Sequence, residues 1–170
     1  IDPDAFVSWV DPKRGGPGVA ELVSVRNLLQ QHLDLFGRPS KKFYVWLSGH
    51  AKSKYESLKL SHCGTDDNEQ FKLGTAETVT FADVLLQHTS ARPSVDELVQ
   101  VIPAIKPRHY SIASSMKFTP GSVHLLVVAV EWTTPSGRKR FGHCTRYLAE
   151  LEVGALVTVD VQPSVLRLPP

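Results

Sequence analysis

Cysteine is scarce. Only Cys63 and Cys144 occur among 170 residues, far apart. One disulfide is the most they allow, and no disulfide framework is implied. Reduced thiols fit better and point to an intracellular protein. An excess of one charge is also missing: 19 basic residues stand against 17 acidic ones, a net +2. That balance gives no strong field for nucleic acid or an anionic membrane. The longest apolar run, near "VHLLVVAV", is much too short to span a bilayer. No G-x-S-x-G elbow occurs, so serine-hydrolase chemistry is disfavoured. His62-Cys63 and His143-Cys144 carry zinc-binding chemistry but lack the close spacing of structural sites, and no metal is expected. Internal repeats and low-complexity tracts are absent. No signal peptide opens the chain, and "IDPDAFVSWV" has no initiating methionine. The sequence therefore reads as a piece of something longer.

What is present suffices for a core, with 42% hydrophobic residues in a chain of single-domain length. Residues 11–19, "DPKRGGPGV", read as a loop. Leu22, Val25, Leu29, Leu33 and Phe36 recur at helical steps, and Gly37 and Pro39 should end that helix. Residues 40–60 predict one broken helix or two short ones. "HCGTDDNEQ", 62–70, reads as a polar loop. "TFAD" from Thr80 and "SVDE" from Ser94 both have capping-box spacing, and the second helix must stop by Pro103.

From residue 107 the period becomes two. "RHYSIASS" (108–115), "SVHLLVVAVEW" (122–132) and "ALVTVDV" (155–161) predict strands. The second is apolar on both faces, which predicts cover on both sides. "TTPSGRKR" is a turn, "GHCTRYLAEL" a short helix opened by Gly142 and closed by Gly154, and "SVLRLPP" a last extended segment. The fold class is α+β.

On a strand, Arg108, Tyr110, Ile112 and Ser114 share one face. Tyr110 can stack on a planar ring, and Arg108 can pair with a phosphate in forked geometry. Taken alone, an edge strand whose hydroxyls face water explains the stretch more simply. "GHCT" offers close backbone approach at Gly142, helix N–H groups and the Thr145 hydroxyl. Taken alone, it is a plain helix start. Cys144 is explained by packing beneath its helix. Trp132 ends the long strand and could stack on an extended ligand.

Arg-x-Tyr-Ser-Ile-Ala-Ser-Ser, then the strand "VHLLVVAVEW", then Gly-x-Cys-Thr at a helix start: this order resembles the FAD-binding domain of the ferredoxin–NADP reductase superfamily. "SVRNLLQQHLDLFGRPSKKFYVWL" and "FADVLLQHTSARPSVDELVQVIPAIKPRHYS" resemble the helical insertion of diflavin reductases, the cytochrome P450 reductase type above all. "LRLPP" resembles the segment leading from that barrel to an NADPH domain.

The resemblance implies an antiparallel Greek-key FAD-binding β-barrel, incomplete in this chain, with a largely helical connecting insertion. It divides the chain into an N-terminal segment and loop at 1–20, the insertion at 21–106 and the barrel portion at 107–170. It implies that Arg108 neutralises the FAD pyrophosphate and that Tyr110 stacks on the isoalloxazine. Ser111 hydrogen-bonds near flavin N5, the one catalytic assignment. Leu126 and Val128 contact the ring, and Trp132 lies near the adenine. Gly142, His143, Cys144 and Thr145 hold the pyrophosphate. FMN, NADPH, their two domains and a hemoprotein or other acceptor are implied partners on segments outside this sequence. So is cytoplasmic placement, free or anchored at the endoplasmic reticulum. The alternatives are a single-flavin ferredoxin–NADP-type reductase and a non-catalytic interaction module of the same fold.

Overall fold

The structure, a computed structural model, describes residues 2–10, 20–65 and 68–163. The loop expected at 11–19 and the segment expected at 164–170 lie outside the described residues. So does the middle of the polar loop, 66–67.

The chain opens on an antiparallel pair, β1 (Phe6–Trp9) and β2 (Glu21–Ser24), in register from Phe6↔Ser24 to Trp9↔Glu21. Ser24 then caps α1 (Val25–Asn27) by accepting from the Asn27 N–H at 3.2 Å. A π-helical turn, Leu28–His32, continues it. The helix expected from Leu22 through Phe36 is thus corrected at both ends. Leu22 lies in β2, and the helix stops before Gly37. Tertiary pairing ends it: Leu33 turns extended and bridges Ala104, with Asp34 N–H on the Pro103 carbonyl at 2.8 Å.

Two short helices follow, α2 (Lys41–Ser48) and α3 (Lys54–Cys63), capped by Ser40 and Ser53. The polar loop expected at 62–70 is shorter than read: His62 and Cys63 end α3, and Glu69 and Gln70 begin α4 (Glu69–Ala76). Its cap is Asn68, but no residue of the helix is buried, so it has no strong apolar stripe to announce it. α5 (Phe81–Gln87) and α6 (Val95–Val101) begin at Thr80 and Ser94 with both capping boxes complete. The Ser94 spacing also worked at the far end, since α6 stops before Pro103.

These helices enclose the core. Leu28, Leu33, Leu47, Leu60 and Val84 are fully buried, and burying each such side chain contributes about 2 kcal/mol. Phe43 meets Phe81 edge-on at 4.7 Å and stacks on Trp46 at 5.7 Å. All the buried hydrophobic residues of the described chain lie before residue 103.

The last third is extended and sparsely paired. Among the described residues, "RHYSIASS" meets the following segment at the Ile112↔Leu125 bridge, the Ala113 N–H to His124 carbonyl bond of 2.8 Å and the His124 N–H to Ser114 Oγ bond of 3.0 Å. The long apolar strand is not covered on both sides: Leu126 is 82% and Val128 72% exposed. A strand's faces are buried only by other elements, and no described element packs there. "ALVTVDV" is likewise exposed, and among the described residues it joins no sheet. Two two-stranded antiparallel sheets and helices make the fold α+β, and among the described residues no barrel closes.

The exception is the hairpin of β3 (Glu131–Thr133) and β4 (Lys139–Phe141), closed by the expected turn. α7 (His143–Ala149) follows at once, capped by Gly142, and ends before Gly154 is reached. Strand alternation puts Arg138 and Arg140 on one side of the hairpin. Both reach Asp83 of α5, Arg138 at 3.2 Å and Arg140 in a shorter contact. Arg140 also donates to the Thr78 carbonyl at 3.2 Å. At the turn, Ser136 gives its N–H and hydroxyl to Glu77, at 2.8 and 2.5 Å.

Burial raises the Asp83 carboxyl, but bonds from Thr80 and Arg140 outweigh it and the net shift is downward. Asp83→Asn keeps an oxygen for the cap and removes the charge facing two guanidiniums. A loss of about 2 kcal/mol is expected, the scale of hydrogen bonds to charged groups, read from the urea midpoint. Glu97 supplies a second test. The Ser94 N–H and hydroxyl, then the His50 imidazole, hold its carboxyl down to about 2 from an ordinary 4.5. A depressed folded pKa stabilises above the unfolded value and is lost as pH falls through the folded one. Wild-type stability should therefore decline between pH 4.5 and about 2, and Glu97→Gln should flatten that slope in pH-dependent denaturation.

Candidate functional site

The two motifs singled out in the sequence meet. Tyr110, half-buried, donates its hydroxyl to Cys144 Sγ at 3.3 Å across 34 residues of chain. Cys144 is the second residue of α7, and α7 is locked to the hairpin just before it. The Gly142 N–H reaches the Val130 carbonyl at 2.7 Å, and the Val130 N–H reaches Thr145 Oγ1 at 3.2 Å. Thr145 Oγ1 in turn donates to the Gly142 carbonyl at 3.3 Å. The threonine hydroxyl thus bridges strand and helix and gives its single proton to the backbone.

Glycine is required at 142 by space, since its φ of −65° suits any residue. An added Cβ would stand 2.7 Å from Thr145 Oγ1 and 3.1 Å from Val130 Cβ. With glycine as N-cap, no side chain caps α7, and its first N–H groups lack the usual acceptor. His143 packs edge-on against Phe36 at 5.5 Å, tying α7 to the helical part.

The remaining expected residues surround this junction without joining it. Arg108 is exposed and makes one hydrogen bond, to the Lys106 carbonyl at 2.7 Å. The exposed Ser111 hydroxyl has no hydrogen bond among the described residues. Trp132, 40% exposed, lies in β3 opposite Arg140. Leu126 and Val128 present free apolar surface. No hydrogen bond, ion pair or ring contact among the described residues links Arg108, Ser111, Leu126 or Val128 to the α7 start.

Beside Thr145 an open cleft of about 240 Å³ runs between Val130, Phe141 and Arg146. The Arg146 guanidinium lies over the Phe141 ring at 4.6 Å and pairs with Glu150 at 2.7 Å. Sequence reasoning missed Val130, Phe141 and Arg146, because three separate elements supply them. The alternation of Arg138 and Arg140 was a readable signal for the hairpin's charged face. Both thiols are free, and no group of three potential metal ligands forms among the described residues. No described helix is long and apolar enough to cross a membrane.

Chemically, the set combines a guanidinium with donors to spare, a fixed aromatic ring, an unengaged hydroxyl and uncapped helix N–H groups. Such donors suit a ligand that is planar at one end and anionic at another. Gly142→Ala should loosen the junction, because Thr145 must turn away and release the Val130 N–H. A loss of about 1–3 kcal/mol is expected, as for other overpacked sites, measured by urea denaturation followed in the near-ultraviolet aromatic signal.

Comparison with known proteins agrees with this chemistry. A family described as "FAD binding domain" matches residues 7–147. The sulfite reductase [NADPH] flavoprotein component of Saccharomyces cerevisiae is 42% identical over 156 residues, covering 88% of this chain and 15% of the relative. NADPH-dependent diflavin oxidoreductase 1 of Mus musculus is 32% identical, covering 95% and 28%. NADPH–cytochrome P450 reductase of Oryctolagus cuniculus is 33% identical, covering 86% and 23%. The chain spans less than a third of the length of each of these relatives. The match to residues 7–147 spans most of the chain and includes both Arg108–Ser111 and the start of α7, and the chain belongs to the FAD binding domain family.

Proposed function

We propose that this chain is the FAD-binding part of an NADPH-dependent diflavin reductase, whose whole polypeptide carries electrons from NADPH through FAD and FMN to an acceptor such as a cytochrome P450. The observation that carries this reading is the family match across both motifs, joined with the contact between Tyr110 and Cys144. Bound FAD supplies the ability to accept a hydride and to release electrons one at a time.

The protein's part is to bind and orient. Arg108 neutralises the pyrophosphate, with four of its five N–H groups outside any hydrogen bond among the described residues. Tyr110 stacks on the isoalloxazine, and Ser111 offers its hydroxyl near N5. Leu126 and Val128 lie against the ring, which explains apolar side chains left open to solvent. Trp132 faces the adenine. Gly142, His143, Cys144 and Thr145 hold the pyrophosphate at the uncapped start of α7. On this reading residues 21–106 are the connecting insertion and 107–170 a portion of a Greek-key barrel. Residues 1–20 are the segment leading in. The protein works inside the cell, in the cytoplasm or anchored to the cytoplasmic face of the endoplasmic reticulum.

A second acceptor class is favoured by one observation. Identity to the sulfite reductase flavoprotein component, 42%, exceeds the 33% to the cytochrome P450 reductase. On that alternative the acceptor is a sulfite-reducing hemoprotein.

Arg108→Glu in the full-length polypeptide tests the site. A carboxylate facing the pyrophosphate repels it, and two like charges at close range disfavour binding strongly. Purified variant should lack the visible flavin bands and fail to quench added FAD fluorescence. Retained FAD would remove Arg108 from the site, and a wild-type protein without FAD would favour the non-catalytic module.

A further inference from the structure

Tyr110 and Cys144 form the single side-chain link between two parts of the site. Among the described residues, no other hydrogen bond, ion pair or ring contact joins residues 107–115 to residues 130–149. The phenol donates and the sulfur accepts. Sulfur is a weak acceptor, so its worth here comes from being held still. It is held: α7 is fastened to Val130 through both the Gly142 N–H and the Thr145 hydroxyl. Tyr110 has no such fastening of its own. Its backbone lies in extended chain outside any named strand, and the nearest pairing is at Ile112.

We propose that Cys144 is a positioning residue, its Sγ anchoring the Tyr110 phenol so that the ring plane is set before a planar ligand stacks on it. With FAD as that ligand, the inference rests on the reading above and extends it. A tyrosine ring has two torsions to freeze, and a ligand that freezes them loses affinity by that amount. Sulfur at 144 removes part of that cost in the free protein. The phenol's own titration agrees. Donation to Cys144, then burial, then the nearby thiol raise it above its ordinary value, with Arg108 opposing weakly. The contact from the Tyr110 hydroxyl to Sγ gives the Cys144 side chain a part beside that of the helix N–H groups.

The test uses the full-length polypeptide freed of flavin, with FAD itself as the probe, titrated by fluorescence quenching. The proteins are wild type, Cys144→Ala, Cys144→Ser, Tyr110→Phe and the double variant Cys144→Ala/Tyr110→Phe. Cys144→Ala and Tyr110→Phe should each weaken FAD binding about fivefold, the loss of one net hydrogen bond. The double variant should be no weaker than either single, because both remove the same contact. Cys144→Ser keeps an acceptor and should recover most of the affinity.

A second readout is the ultraviolet titration of the Tyr110 phenol in the flavin-free protein, isolated by difference against Tyr110→Phe. It should fall in Cys144→Ala and not in Cys144→Ser. Losses that multiply in the double variant, to about 25-fold, overturn the proposal. So does a Cys144→Ala protein whose FAD affinity and phenol titration both match wild type. A wild-type protein that binds no FAD, yet shows the phenol shift, overturns the flavin reading and upholds the anchoring of Tyr110 by Cys144.

Discussion

One carboxylate joins the two parts of this molecule. Asp83 accepts from the Thr80 N–H and hydroxyl, both at 2.9 Å, and closes the capping box of α5. That bonded oxygen, Oδ2, also receives Arg140, and Oδ1 receives Arg138, both from the β3–β4 hairpin. The helical part needs Asp83 to start α5, and α5 carries Phe81 and Val84 into the core. The hairpin is held by polar contacts alone, with Asp83 at their centre beside Glu77 and the Thr78 carbonyl. Among the described residues after Ile102, only Thr134 is buried. A hydrophobic core cannot fix a hairpin that buries no hydrophobic residue, so charge and hydrogen bonds do so instead. A carboxylate this well supplied with donors tolerates partial burial, because they compensate its lost hydration.

The consequence reaches the site. The hairpin presents Trp132 and leads through Val130 and Gly142 into α7, whose Cys144 meets Tyr110. The route from Asp83 to the proposed flavin platform is therefore two strands and one turn of helix. Glu77 strengthens the same connection. The Ser136 hydroxyl, then the Thr134 hydroxyl, lower its carboxyl below the ordinary range, holding it charged against the turn. The helical part thus positions the hairpin and the start of α7 through Asp83 and Glu77.

What could be read from the sequence was local. Ser94 with Glu97 and Thr80 with Asp83 fixed two helix starts, because a capping box is a contact between residues three apart. The turn at "TTPSGRKR" and the start of α7 at Gly142 were legible for the same reason. The motifs "RHYSIASS" and "GHCT" carried the family resemblance, and the family match includes both. The misreadings concern residues whose state depends on distant partners. Leu22 fits a helical stripe but is taken into β2 by pairing with Ser8. Leu33 fits the same stripe but is drawn out of the helix by Ala104. Leu126 and Val128 read as buried because they are apolar, yet burial needs an opposing surface.

The sequence by itself determined the two capping boxes, the turn, the α+β class and the two motifs that name the cofactor. Each of these depends on residue type and on spacings of a few residues. Tertiary structure alone decided where the first helix ends, which carboxylate the hairpin arginines face, and that Tyr110 meets Cys144. It also gave the Thr145 hydroxyl to the backbone rather than leaving it free. These outcomes join residues 15 to 71 positions apart. No local pattern encodes such pairings. They follow from the order in which the helices pack and from the few donors and acceptors that packing leaves within reach.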